Sequence, residues 1–293
     1  MIGQVGEALI GSEAVAAGRI SRGDLRWNYR TIFPDVYLPR GLELTMPVKA
    51  EAAYLWARRR GVITGRAAAA LHGAQWVADS DPVELIWTNN HHPKGIITRR
   101  ERISTDEVVI VDGMSLATPS RTAFDLGRHL PLTQAVIHLD ALARKTGLTT
   151  DEVVRLAERY RGARGVRGFR EAIELMDGGA QSPKESWLRL LLIDAGYPKP
   201  HTQIPVVDDW GNEFAFLDMG WREMKIAVEY DGDQHRKDRD QYVWDERRLR
   251  RLLSIGWLHV KVIAEDRPTD ILARVEDAWR ARQREGMAVK LPA

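Results

Sequence analysis

The chain has no cysteine in 293 residues, which removes disulfide frameworks, thiolate zinc sites and cysteine nucleophiles from consideration. It also lacks a large net charge, since 43 Lys and Arg oppose 41 Asp and Glu and leave +2. A protein that merely coats nucleic acid is thereby excluded, and any nucleic-acid surface must be local. The sequence opens without a basic leader, Glu7 and Glu13 interrupt its small-residue start, and no apolar run reaches membrane-spanning length. The expectation is a soluble, cytoplasmic protein with no membrane partner.

What the chain does have is length and apolar content. With 44% hydrophobic residues it suits two or three domains, each with its own core. The fold class expected is a multidomain α/β protein. In residues 1–45, helical patterns span Val5 to Ala17 and Ser21 to Asn28, with Ser21 and Asp24 spaced as an N-cap box. The extended stretch from Arg30 to Pro39, punctuated by Pro34 and Gly41, suggests a small wing. Helix, turn, helix and wing is a DNA-binding order, and Arg22, Arg26 and Arg30 are placed to meet phosphates. The competing reading is a solvated face on a small helical cap.

Residues 46–180 read as a mixed α+β region. Helices are expected near Val48 to Arg59 and Gly65 to Leu71, and strands at Val83 to Thr88, Gly95 to Thr98 and Val108 to Val111. A run of helices opens at Pro119. His72, His91 and His92 have no companion carboxylate at ligand spacing, so a loop or surface role fits them better than metal binding. Asp177 to Gln181 breaks the composition and marks a boundary.

Residues 181–293 carry the chemistry. Ser182, Pro183 and Glu185 start a helix as N-cap, N1 and N3. Glu185 also shares the buried stripe of Leu188 and Leu192, where a charge needs a partner or a metal. A hairpin follows, and alternation brings Asp218 on one strand to Glu229 on the next, with Asp231, Gln234 and His235 just beyond. Singly, each acid has an ordinary explanation as a cap, a turn residue or a solvent-facing side chain. Together they repel unless a cation intervenes, and paired carboxylates on a rigid sheet can hold Mg²⁺. The helix from Asp240 to Ser254 adds Arg247 and Arg251, either salt-bridged at the surface or available to phosphates.

These residues resemble a known family. Ser182-Pro-Lys-Glu185, Leu217-Asp218 and Ala227-Val-Glu229-Tyr-Asp231-Gly232 with His235, then an arginine-rich helix and Gly256-Trp257, look like the very-short-patch-repair-like domain of the PD-(D/E)xK nuclease superfamily. Upstream, Arg30 to Tyr37, Thr64 to Gly73 and Pro119 to Leu126 resemble AbiEi-like winged-helix regulators and antitoxins. The resemblance implies a winged helix-turn-helix over 1–45 and a restriction-endonuclease-like α/β domain over 181–293. It further implies Asp218 and Glu229 as ligands of Mg²⁺ or Mn²⁺, and Glu185 as the helix carboxylate that holds a metal-bound water. Where the superfamily places its lysine, this chain has Asp231, so His235 or Gln234 would take that role, or less readily Lys225.

The function expected is that of a metal-dependent endodeoxyribonuclease in DNA repair or phage defence. The alternative is a DNA-binding regulator or antitoxin whose nuclease domain no longer cuts. DNA is the expected partner; double-strand cutting would suit a homodimer, and the antitoxin resemblance implies a toxin or other defence-locus partner.

Overall fold

The computed structural model describes residues 7–89, 91–208, 210–232 and 239–287. The chain divides into two compact units, Met1–Gly178 and Gly179–Ala293. It is a mixed α/β protein with several sheets. Among the described residues, no helix is long and apolar enough to cross a membrane.

The first unit begins with β1 (Leu9–Ile10), α1 (Gly11–Ala16), α2 (Arg22–Asn28), β2 (Tyr29–Phe33) and β3 (Val36–Pro39). The first helix is shorter than expected because Leu9 and Ile10 pair with Tyr37 and Val36 instead, burying Ile10. Ser21 and Asp24 form the capping box that their spacing predicts. β1, β3 and β2 make a three-stranded sheet in that order.

The chain continues through α3 (Met46–Trp56), β4 (Val62–Thr64), α4 (Gly65–Leu71), β5 (Val83–Ile86), β6 (Ile96–Arg99), β7 (Val108–Val111) and β8 (Met114–Ala117). Strands β6-β5-β4-β8-β7 form a five-stranded sheet. Helices α5 (Pro119–His129), α6 (Leu132–Thr146), α7 (Thr150–Ala157) and α8 (Val166–Leu175) complete the unit. Ile10, Phe33 and Val36 share one buried cluster with Met46, Ile63 and Leu85. The expected wing of 1–45 and the mixed region after it are thus packed on one core.

The second unit contains α9 (Pro183–Asp194), β9 (His201–Val207), β10 (Glu213–Trp221), β11 (Ile226–Asp231), α10 (Arg239–Ser254), β12 (Leu258–Ile263) and α11 (Pro268–Arg284). Its sheet runs β12-β11-β10-β9, with β11 and β12 parallel and the other neighbours antiparallel. A parallel pair needs a crossover, which α10 supplies. Leu188 and Leu192 of α9 and Ile271, Val275 and Trp279 of α11 pack with Met219, Ile226 and Val228. Leu252 of α10 packs with Leu217 and Ala227 in a separate cluster. The sheet is therefore sandwiched between helices, which is why its central strand Ile226-Ala-Val is apolar on both faces. Gly220 is needed where β10 crosses β11, because a Cβ there would collide with the Ile226 carbonyl oxygen, a backbone atom that cannot step aside.

Candidate active site

β10 pairs with β9 from Glu213 to Gly220, but with β11 only where Met219, Gly220 and Trp221 face Val228, Ala227 and Ile226. From Asp218 back to Glu213, β10 has only β9 beside it, while β11 from Glu229 to Asp231 has only β12. The sheet forks between β10 and β11, and Asp218 and Glu229 stand where the strands part. At the fork Asp218 Oδ2 accepts the backbone N–H of Tyr230 at 3.0 Å, standing in for a ladder acceptor.

Glu185 lies at the start of α9 and is buried. Its backbone N–H donates to Ser182 Oγ at 3.1 Å, and its carboxylate accepts the N–H of Gln181 at 2.8 Å. Ser182 therefore caps the helix as its position predicts, while the Glu185 carboxylate reaches one residue further back than the N-cap. Burial and the carboxylates of Glu185 and Glu229 push Asp218 up to about 7. Asp218 thus senses both other acids, although among the described residues the three do not form a group whose ligand atoms all lie within 4.8 Å of one another.

Glu229 explains the spacing. It is buried, and Arg248 of α10 donates to both its oxygens, Nη1 to Oε2 at 3.0 Å and Nη2 to Oε1 at 2.6 Å. His259 Nε2 meets Oε2 as well. Burial alone pushes this carboxyl up, but the bonds from His259 and Arg248 outweigh it and hold Glu229 at about 2. Neither partner was singled out by the sequence reading. The arginine run of α10 hid Arg248 among solvated neighbours. His259 alternates with Val260 and Val262 on β12, and the parallel register sets it beside Ala227, on the face that Glu229 also shares.

Asp231 is partly exposed and bonded to Lys261 Nζ at 2.5 Å, and Lys261 stands in register with Glu229. Lys225 is displaced from the site: it occupies the turn before β11 with φ +45, and its amine donates to the Ile255 carbonyl at 2.8 Å. Gln234 and His235 lie outside the described residues. Arg247 is exposed, whereas Arg251 pairs with Asp208 at 2.8 Å and stacks over Phe214 at 4.1 Å.

In the first unit, Arg22, Arg26, Arg30 and Arg40 line a groove of about 780 Å³ with Tyr29 and Tyr37. Arg22 and Arg26 are exposed. Arg26 lies 5.7 Å from the ring of Trp27, which is 73% exposed. Arg30 is more committed to the fold, donating to the Leu42 carbonyl at 2.7 Å.

The acids and histidine that do come within 4.8 Å of one another, among the described residues, are Glu101, Asp125 and His129 in this unit. Two guanidiniums already supply the positive charge there. Arg121, fully buried, bonds Glu107 at 2.8 Å and Asp125 at 3.0 Å, and Arg128 bonds Asp125 at 2.8 Å and also Glu101. Thr64 donates to Asp125 at 2.6 Å, and His72 Nε2 meets the Ala117 carbonyl oxygen at 2.8 Å. His72 is thus a half-buried tie between α4 and β8, while His91 and His92 are exposed. The stretches Thr64 to Gly73 and Pro119 to Leu126 therefore meet in a buried polar network that fastens helices to the five-stranded sheet.

No family model matches the chain, and no solved structure matches it. It is similar to two curated relatives from Mycobacterium tuberculosis strains, the uncharacterized proteins MT2308 and Rv2248, each 31% identical over 168 residues. That match covers 56% of this chain and 62% of each relative, so the chain spans less than two thirds of the length of the relatives it matches.

Proposed function

We propose that the second unit is a restriction-endonuclease-like domain that hydrolyses phosphodiesters in DNA with Mg²⁺ or Mn²⁺, and that the first unit contributes a winged-helix DNA contact. The observation that carries this reading is that the charges of Glu185 and Glu229 converge on Asp218 at the fork and, with burial, drive it up to about 7. A set of hard oxygen donors whose charges oppose one another fits a divalent cation. Asp218 and Glu229 would hold it, and Glu185 would orient a water from the helix side. The metal would supply Lewis-acid polarisation of the phosphate and a water more readily deprotonated at neutral pH.

The rest falls to side chains. Asp231 occupies the superfamily lysine's place, but its partner Lys261 brings an amine to the same strand edge from the parallel neighbour. Lys261 would neutralise charge developing on the phosphate. Exposed Arg247, with Arg251 at the edge, would meet the flanking backbone, and Arg22 and Arg26 would do so on the first unit.

The test is cleavage of supercoiled plasmid and labelled single-stranded DNA by the full chain with Mg²⁺, Mn²⁺ or EDTA. Metal-dependent cutting that disappears in a folded Asp218→Ala/Glu229→Ala variant is the expected result. Persistent cutting by that variant would sink the reading. A second reading, a DNA-binding regulator or antitoxin with a silent nuclease fold, is favoured by Asp231 and by the pairing of Glu229 with Arg248 and His259. Specific DNA binding without cutting under either metal would select it.

A further inference from the structure

Arg248 spans the fork. Its Nη2 donates both to Glu229 Oε1 on β11 and to the Phe216 carbonyl on β10, each at 2.6 Å, and its Nη1 donates to Glu229 Oε2 at 3.0 Å. One guanidinium therefore ties together the two strands that part at Asp218, and it occupies both oxygens of Glu229. A planar, permanently charged fork is suited to this, since it satisfies a buried carboxylate by two bonds. It also competes with a metal, because a cation binding Glu229 would have to sit beside the guanidinium's like charge and share oxygens that Arg248 already engages.

We propose, building on the nuclease reading above, that Arg248 is a resident cation that holds the site closed. In this state Glu229 is neutralised by Arg248 and His259, whose donors engage both of its oxygens. That accounts for an Asp218 that feels the charge of Glu185 and Glu229 while the three acids are not gathered to coordination distance. Binding of a divalent cation requires Glu229 to exchange Arg248 for the ion. The released guanidinium, still on α10 at the mouth of the fork, presents its paired N–H donors to a substrate phosphate. Metal and DNA would then favour each other's binding, since the first removes the competitor and the second gives the displaced arginine a new partner.

The test is Mn²⁺ binding to the full chain without DNA, by titration calorimetry and by paramagnetic resonance of free Mn²⁺. Arg248→Gln is expected to bind at least tenfold tighter than the unsubstituted protein, and Arg248→Lys to fall between them. The Lys variant retains charge but cannot make the bidentate contact, so it serves even if the Gln variant folds only with metal. The gain must vanish when Asp218→Ala and Glu229→Ala are added. Equal or weaker Mn²⁺ affinity in both Arg248 variants, or a gain that survives loss of the two acids, overturns the proposal. If the unsubstituted protein binds Mn²⁺ through Asp218 and Glu229 without any gain in the variants, only the latch fails. If no protein in the series binds Mn²⁺, the metal reading fails with it.

Discussion

The carboxylate of Asp218 accepts the backbone N–H of Tyr230 at 3.0 Å, so the residue at which β10 leaves β11 also ties the two strands at their last point of contact. Asn at 218 would keep that acceptor and remove the charge. A folded-state pKa of about 7 against an ordinary 3.8 means that the folded protein retains a proton which the unfolded chain has already released. The associated stabilisation is complete below about 3.8 and lost as pH rises through about 7. At pH 8 in EDTA, Asp218→Asn is therefore expected to be more stable than the unsubstituted protein, by at most about 4 kcal/mol. The gap should close toward pH 4. Urea unfolding followed by hydrogen exchange in β10 and β11 measures it, and a variant that is less stable at pH 8 contradicts the charge crowding inferred at the fork.

Exposed Arg22 and Arg26 bear on the first unit's proposed DNA contact. Phosphate contacts release counterions, so each lost contact should lower the salt slope of binding by about one and weaken affinity similarly on all sequences. Arg22→Ala/Arg26→Ala is expected to bind duplex DNA at least tenfold more weakly at low salt, with the smaller slope. Arg30→Ala should also cost fold stability, because its guanidinium holds the Leu42 carbonyl. Fluorescence anisotropy across a salt series separates these outcomes, and an unchanged slope in the double variant removes α2 from the interface.

The second unit was the more legible part of the chain. Its elements are long and periodic, and the placing of Asp218 and Glu229 just beyond the paired stretch of one hairpin follows from its alternation. Gly220, by its residue type a candidate for a turn, instead continues β10 beside β11, and the turn follows Trp221. Arg248 and His259 were not legible, because their role depends on α10 folding back on the sheet and on the parallel register of β12, neither of which has a local signature. In the first unit β4 is only three residues long, too short to display a period, yet it is the middle strand of five. β8 did have a signal: Asp112-Gly113, both at positive φ, is a tight hairpin dipeptide following β7. The motifs around Thr64 and Pro119 were read as family marks, and structurally they are two halves of one buried network.

His138 gives that first unit a pH dependence of its own. It is buried on α6, its Nδ1 has no hydrogen-bond partner among the described residues, and burial with nearby Arg66 lowers it to about 4. Below an unfolded value near 6.5 the unfolded chain takes up a proton that the folded unit refuses, so stability falls from about 6.5 down to about 4 and levels off beneath that. The loss is expected to reach at most about 3 kcal/mol. His138→Gln should flatten the profile over that window, read by hydrogen exchange of α6 at pH 7, 5.5 and 4. An identical pH dependence in the variant would assign the acid sensitivity to other groups.

Arg121 decides whether the first unit's acidic cluster is an ion network or a metal site. Its guanidinium has no solvent exposure and bonds Glu107 and Asp125, with Glu101 3.3 Å away, so removing it strands several buried carboxylates. Loss of one partner from such a network typically costs 3–5 kcal/mol, roughly, because the surviving charges remain desolvated. Arg121→Met is expected to destabilise α5 and β7 by that order, seen as faster hydrogen exchange there. In the unsubstituted protein Mn²⁺ should leave exchange in α5 unchanged, since two arginines already occupy the place a cation would take. Protection of α5 by Mn²⁺ would mean instead that His129, Glu101 and Asp125 release their arginines for an ion, and the buried network would then be a second metal centre.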